Sequence, residues 1–122
     1  MSGYEGRTLV EDLLANGIDD LVYEAWVYTI TGRSGLTDPT SRRQLAIGMI
    51  AEVLASGLMV AGEFDGAKHQ QWEVSTGAEI MRITEDWLRW GDQVPTPGSV
   101  VWLALTPAGR EVGEAVLARE SG

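Results

Sequence analysis

Apolar residues fall into short periodic blocks along the chain, and the period of each block indicates the element it forms. Leu9, Val10, Leu13 and Leu14 recur at helical spacing, predicting a short first helix over 7–16 that Gly17 ends. Leu21, Val22, Ala25, Trp26 and Thr29 repeat the pattern behind Asp19 and Asp20, whose carboxylates suit a helix N-terminus, so a second helix is expected up to Gly32. Asp38 followed by Pro39 combines a capping side chain with a residue preset for the first helical position; Leu45, Met49, Ile50, Val53 and Leu54 form the apolar face of this third helix, and Gly57 stops it. From Leu58 the period falls to two: Leu58, Val60, Gly62 and Phe64 alternate with Met59, Ala61 and Glu63. Asp65-Gly66 then predicts a tight type I′ hairpin returning through Lys68 to Val74. Thr76 with Glu79 three residues on reads as a capping box for a fourth helix carrying Ile80, Ile83, Trp87 and Trp90. Pro95, Pro97 and Gly98 make Asp92 to Ser99 an exposed connection, and Val100 to Leu105 is a short apolar run that suits a buried strand. Thr106-Pro107 restarts a helix with Ala108, Val112, Ala115 and Val116 expected inward.

This order predicts a helix-rich α+β fold. Its most specific stretch, Trp102-Leu103-Ala104-Leu105-Thr106-Pro107-Ala108-Gly109-Arg110, resembles the last wing strand and C-terminal helix of winged-helix transcription regulators of the multiple-antibiotic-resistance and phenolic-acid-regulator (MarR- and PadR-like) type. Arg33 to Gly57 is similar to their turn and recognition helix, and Leu58 to Phe64 to their first wing strand. The resemblance implies one winged-helix-like domain over 1–122, with a three-helix core, a β-hairpin in a small antiparallel sheet, and a C-terminal helix. An extra helix near 77–90 departs from that plan by separating the two wing strands. It also implies a homodimeric regulator that binds duplex DNA through Arg42, Arg43 and Gln44 at the start of the third helix, with Arg33 on the preceding turn and Lys68 on the hairpin.

Charge points elsewhere. A chain of 122 residues, 44% apolar and 22% charged, has the composition of an ordinary folding domain, yet its net charge of −9 opposes a phosphate backbone. The only net-positive stretch is 31–50, where Arg33, Arg42 and Arg43 outweigh Asp38. An acidic body is suited instead to a basic protein partner, as in a small immunity or antitoxin-type inhibitor or an adaptor. Trp72 and Trp90, with Glu85 and Asp86 nearby, are the candidate anchors; Trp26, Trp87 and Trp102 are expected in the core.

Catalytic chemistry finds no foothold. There is no Cys, and His69, expected as a solvated hairpin residue, is the single histidine, so thiolate, multi-His metal and triad chemistry are absent. No phosphate-binding loop, dinucleotide fingerprint or nucleophile elbow occurs. Acidic pairs occur at Glu11-Asp12, Asp19-Asp20 and Glu85-Asp86, but nothing in their spacing demands a shared cleft: helix N-terminal charge explains Asp19-Asp20 and a solvated face explains Glu85-Asp86. A non-enzyme without cofactor or metal is therefore expected. Residues 1–7 lack the apolar core of a secretory signal, and 45–60 is broken by Gly48, Glu52, Ser56 and Gly57, so no membrane span and a cytoplasmic location are expected. Eight Arg against one Lys suits a GC-rich bacterial or phage source.

Overall fold

The helix starts are fixed by side chains that satisfy free backbone amides. The computed structural model describes residues 6–121; residues 1–5, part of the segment inspected for a secretory signal, lie outside it. Helix α1 (Leu9–Asn16) opens with a capping box in which Thr8 Oγ1 accepts the Glu11 N–H at 3.0 Å and the Glu11 carboxylate accepts the Thr8 N–H at 2.9 Å. Helix α3 (Pro39–Ala55) is capped as expected, with the Asp38 carboxylate 2.9 Å from both the amide and the hydroxyl of Ser41. Helix α4 (Thr76–Leu88) is capped one residue earlier than the pattern indicated: Ser75 Oγ accepts the Ala78 N–H at 3.2 Å. Glu79 is thereby moved off the reciprocal position and turned into the protein, where it is buried. Helix α5 (Pro107–Ser121) begins at Thr106, whose hydroxyl accepts the Gly109 N–H at 3.1 Å.

The second helix starts later than its acidic flank suggested. After Asp19 and Asp20 the chain forms a two-residue strand, β1 (Val22–Tyr23), and only then α2 (Glu24–Ile30), which runs into a 3-10 turn at Thr31–Ser34. Strand pairing overrides the helical pattern because Val22 and Tyr23 lie opposite Leu103 and Trp102 of strand β4 (Trp102–Leu105), which supplies partners for their backbone groups and a buried site for Val22. The later start sets the phase of α2 so that Glu24, Val27 and Ile30 face inward, leaving Trp26 40% exposed and not in the core as expected.

Strand β2 (Met59–Phe64) pairs with β4 on one side and with β3 (His69–Gln71) on the other, giving an antiparallel sheet in the order β1-β4-β2-β3. The β2–β3 hairpin is present, but Phe64 pairs with His69, so residues 65–68 form the loop and no two-residue type I′ turn occurs. A type I′ turn needs positive φ at both central residues, and only Gly66 provides it, at 95°. Asp65 closes the loop by accepting the amides of Ala67 and Lys68 at 2.8 and 2.9 Å.

One face of this sheet, carrying Val22, Met59, Ala61, Val101 and Leu103, packs on α1 to α4 in one hydrophobic cluster centred on Leu13, Ile50, Val53 and Trp87. Each large apolar side chain buried there stabilises the fold by about 1.5–3 kcal/mol. Helix α5 lies against α1 with Val116 inward as expected, but Ala108, Val112 and Ala115 are exposed, and Gly109 and Gly113 take the other inward positions. Backbone proximity selects this face, since a Cβ on Gly109 would stand 1.8 Å from the Leu58 carbonyl oxygen and one on Gly113 would stand 2.9 Å from that of Leu14. Among the described residues no helix is long and apolar enough to cross a membrane.

Candidate functional site

The other face of the sheet is concave and only partly covered, by His69 over Gly62 and by Gly98 against the Trp102 indole. Alternation along β1, β4 and β2 turns Tyr23, Trp102, Ala104, Val60, Gly62 and Phe64 away from the core. Large aromatic rings stand beside small residues, and a groove of about 520 Å³ opens between them. Trp102 forms its floor, with the Tyr23 ring edge-on at 5.3 Å and 71° and the Phe64 ring tilted at 5.3 Å and 54°. Gly62 is required by this geometry: a Cβ there would meet the Gln70 carbonyl oxygen at 2.1 Å and the His69 ring at 2.8 Å. His69 crosses above Gly62 and places Nε2 2.8 Å from the Trp102 carbonyl oxygen, so it is a half-buried part of the wall rather than a solvated hairpin residue.

Charge is concentrated at the two ends of the groove. Asp19 and Asp20, both exposed, line one end together with Arg110, whose guanidinium lies 3.5 Å from the Ile18 carbonyl oxygen and 3.9 Å from Glu114. Asp20 Oδ1 accepts the Leu21 N–H at 2.8 Å, orienting that carboxylate. Lys68 lines the opposite end, at the hairpin loop, where the Lys68 amide hydrogen bond holds the Asp65 carboxyl below the usual carboxylate range. A smaller hollow lined by Asn16, Val22 and Trp26 shares Asp20, Leu21 and Tyr23 with the groove, so the exposed Trp26 extends the same aromatic and acidic surface.

The residues chosen from the sequence as protein anchors lie elsewhere. Trp72 is 8% exposed and belongs to the core, covered by the Arg82 guanidinium 3.9 Å above its ring; its buried Nε1 has no hydrogen-bond partner among the described residues. Trp90 is half-buried against the same core, Glu85 is exposed, and Asp86 pairs with Arg89 at 3.3 Å along α4. None of these four lines the groove.

The cations chosen as DNA contacts are largely committed to the fold. Arg42 donates from Nε to Thr31 Oγ1 at 3.0 Å and from Nη2 to the Tyr28 carbonyl at 2.9 Å, with its guanidinium 4.2 Å from the centre of the Tyr28 ring. Arg42 and Arg43 are both half-buried, which corrects the reading of them as exposed positions at the helix start. Arg43 Nη1 donates to the Gly91 carbonyl at 2.5 Å, tying α3 to the loop after α4. Arg33 Nη1 lies 2.8 Å from the fully buried Asp12, which also receives Arg7 at 2.9 Å. Arg7 in turn holds Glu120 through Nε and Nη2 at 2.5 and 2.6 Å, a contact that lowers the Glu120 pKa. Gln44 and Lys68 are exposed.

A second fully buried carboxylate escaped the sequence reading. Glu24 Oε1 accepts the amides of Val100 and Val101 at 2.5 and 3.1 Å, and Oε2 those of Gly98 and Ala25 at 2.8 and 3.0 Å. The 92–99 connection is exposed along most of its length, as expected, and is pinned at two points, by the burial of Pro95 and by the bond from the Gly98 amide to Glu24. Four amide donors on one carboxylate satisfy its charge without water, which is a structural role. Among the described residues no group of His, Cys, Asp or Glu could hold a metal ion. Comparison with family models, curated proteins and solved structures gives no match in any of the three.

Proposed function

We propose that this protein is a non-catalytic binding domain whose open sheet face engages a basic protein partner. The observation that carries this reading is the groove itself: a concave aromatic surface of the half-buried Trp102 and Tyr23 and the exposed Phe64, flanked by Asp19, Asp20 and Arg110 at one end and Lys68 at the other, on a chain of net charge −9. Aromatic rings at a surface supply contact area at low conformational cost, and the chain's net negative charge steers a cationic partner and disfavours an anionic one. The anchors are therefore Trp102, Phe64, Tyr23 and Trp26, in place of Trp72 and Trp90. The test is a stopped-flow titration with cationic peptides, read through Trp fluorescence. Association should slow steeply between low and physiological salt, and Phe64→Ala should weaken binding. Association indifferent to salt, or indifferent to Phe64→Ala, would remove the reading.

A homodimeric winged-helix DNA-binding regulator is the second reading, and one observation favours it. Strand β4 pairs with β2 despite the long intervening segment, as a second wing strand would, so that β3 and α4 form an excursion from a wing. Against it stands the engagement of Arg33, Arg42 and Arg43 within the fold. Its test is anisotropy of random duplex DNA at low salt. Binding that is lost in Gln44→Ala, Lys68→Ala would support it, because both positions are exposed.

A further inference from the structure

We propose that the outward face of α4 is a self-association surface, on which two copies of this chain pair antiparallel with Met81 at the twofold axis. The inference is independent of the groove, which no residue of α4 lines. Ile83 and Trp87 turn one side of α4 into the core, so the opposite side, carrying Ala78, Met81, Glu85 and Leu88, faces solvent. Met81, Leu88 and Val74 are the most exposed large apolar side chains among the described residues, at 63%, 53% and 51%. They stand seven positions apart, Val74 just ahead of the Ser75 cap, and this is the spacing that keeps side chains on one seam when two helices pack side by side.

The symmetry of this pattern about Met81 selects a second copy as the occupant. When identical helices run antiparallel around a twofold axis, a residue ahead of the axis meets the residue equally far behind it in the other copy. Val74 then meets Leu88 of the second copy, and Met81 meets Met81. The charges obey the same rule, because Glu73 comes opposite Arg89 at both ends of the pair, and both are exposed. Glu85 comes opposite Gly77 in the first turn of α4, where the space above the glycine is open and the helix dipole favours a carboxylate. The sequence line from Glu73-Val74 through Met81 to Leu88-Arg89 is thus complementary to its own reverse. Arg89 lies 3.3 Å from Asp86, and Arg82 lies over Trp72 and 3.3 Å from Glu63. The face therefore sets two cations against Glu73, Glu85 and Asp86, so two chains of net charge −9 meet there at little electrostatic cost. A helix of 13 residues is about 20 Å long, an interface at the small end of the usual range, so association is weak, with a dissociation constant on the order of 10–100 µM.

Sedimentation velocity on the full chain, from about 1 µM to about 1 mM, should show monomer giving way to dimer. Met81→Glu sets two like charges face to face on the axis and should weaken association by about tenfold or more, with an unchanged thermal midpoint because position 81 is exposed. Arg89→Glu should also weaken it, and adding Glu73→Arg in the same chain should restore it, since the exchanged charges again meet across the pair. The chain has no cysteine, so Met81→Cys supplies one thiol per copy, and mild oxidation should link two copies through position 81 far faster than it links a Val112→Cys control on α5. A chain that stays monomeric at the highest concentration, or a dimer that Met81→Glu leaves intact, would overturn the proposal. Failure of the double variant to recover what Arg89→Glu loses would overturn the antiparallel pairing. Each of these results leaves the groove reading standing.

Discussion

Replacing Glu24 with Gln changes one oxygen to an amide and tests whether the buried clamp holds the sheet and its connection together. The carboxylate accepts four backbone amides, two on each oxygen, and is fully buried. Gln keeps one acceptor oxygen, so either orientation turns an NH2 group toward two backbone N–H donors. Two hydrogen bonds to a charged acceptor are then lost, at about 1.5–3 kcal/mol each, and local movement of the 96–101 segment recovers part of that. The expected loss is about 3–5 kcal/mol, a large share of the roughly 5–15 kcal/mol that separates folded from unfolded states in domains generally. In urea, with a slope of about 1–3 kcal/mol/M, the midpoint should fall by roughly 2 M. Tryptophan fluorescence follows the transition, and amide hydrogen exchange should accelerate first at Gly98, Val100 and Val101. A loss under about 1 kcal/mol, with these amides still protected, would mean that other acceptors serve them and that Glu24 is not the clamp.

Arg42→Ala should destabilise the protein by about 1.5–3 kcal/mol in the same assay, because it removes the bonds to Thr31 and Tyr28 and the contact with the Tyr28 ring; an unchanged midpoint would return Arg42 to the pool of free surface cations. Gly109→Ala should destabilise by about 2 kcal/mol or more, the reverse of the usual gain of about 1 kcal/mol for this change in a helix, since the new Cβ meets the Leu58 carbonyl. Burial raises the Glu79 pKa, so the native state holds its proton more tightly than the unfolded chain, and stability falls as pH rises from the ordinary glutamate value through the raised one. Glu79→Gln should therefore raise the thermal midpoint near neutral pH, with the gain vanishing on acidification; an equal gain at both pH values would place its origin elsewhere. By contrast, Glu11 is lowered chiefly by its Arg119 hydrogen bond, Asp38 by the Ser41 amide and Glu120 by Arg7. They stabilise above the ordinary carboxylate range and lose that effect as pH falls through their depressed values, so acid unfolding should shift to higher pH when Arg7 is replaced.

Helices, hairpin and the α+β class were legible because they depend on local signals: the i, i+3, i+4 spacing of Leu45 to Leu54, Asp38-Pro39, and Asp65-Gly66 between alternating runs. Strand β1 was hidden because two residues carry no alternation, and Val22 fits a helical face as well as a strand. Missing it displaced the phase of α2 and placed Trp26 inside. The face of α5 was only partly assigned for a related reason: apolarity marks Val112 and Ala115 as well as Val116, while the actual contact is made by Gly109 and Gly113 beside Val116. Asp12 and Glu24 escaped notice because a sequence shows charges but not their partners: Arg33 is 21 positions from Asp12, and three of the four amides that hold Glu24 lie more than 70 positions away. The groove likewise combines residues from β1, β2 and β4, and becomes visible only once Gly62 is known to face Trp102.

The meeting of α1 with α5 also bears on how the protein is made. Arg7 holds Glu120, Glu11 holds Arg119, and the two helices between them bury Val116 and the close approach of Gly113 to Leu14. A ribosome adds residues at about 5–20 per second. During synthesis α1 thus waits several seconds with its α5-facing side bare, and the buried Asp12 lacks the bracing that Glu120 gives its partner Arg7. Vectorial folding from the N-terminus stops short of the native state, and the last step falls after residue 121 clears the exit tunnel.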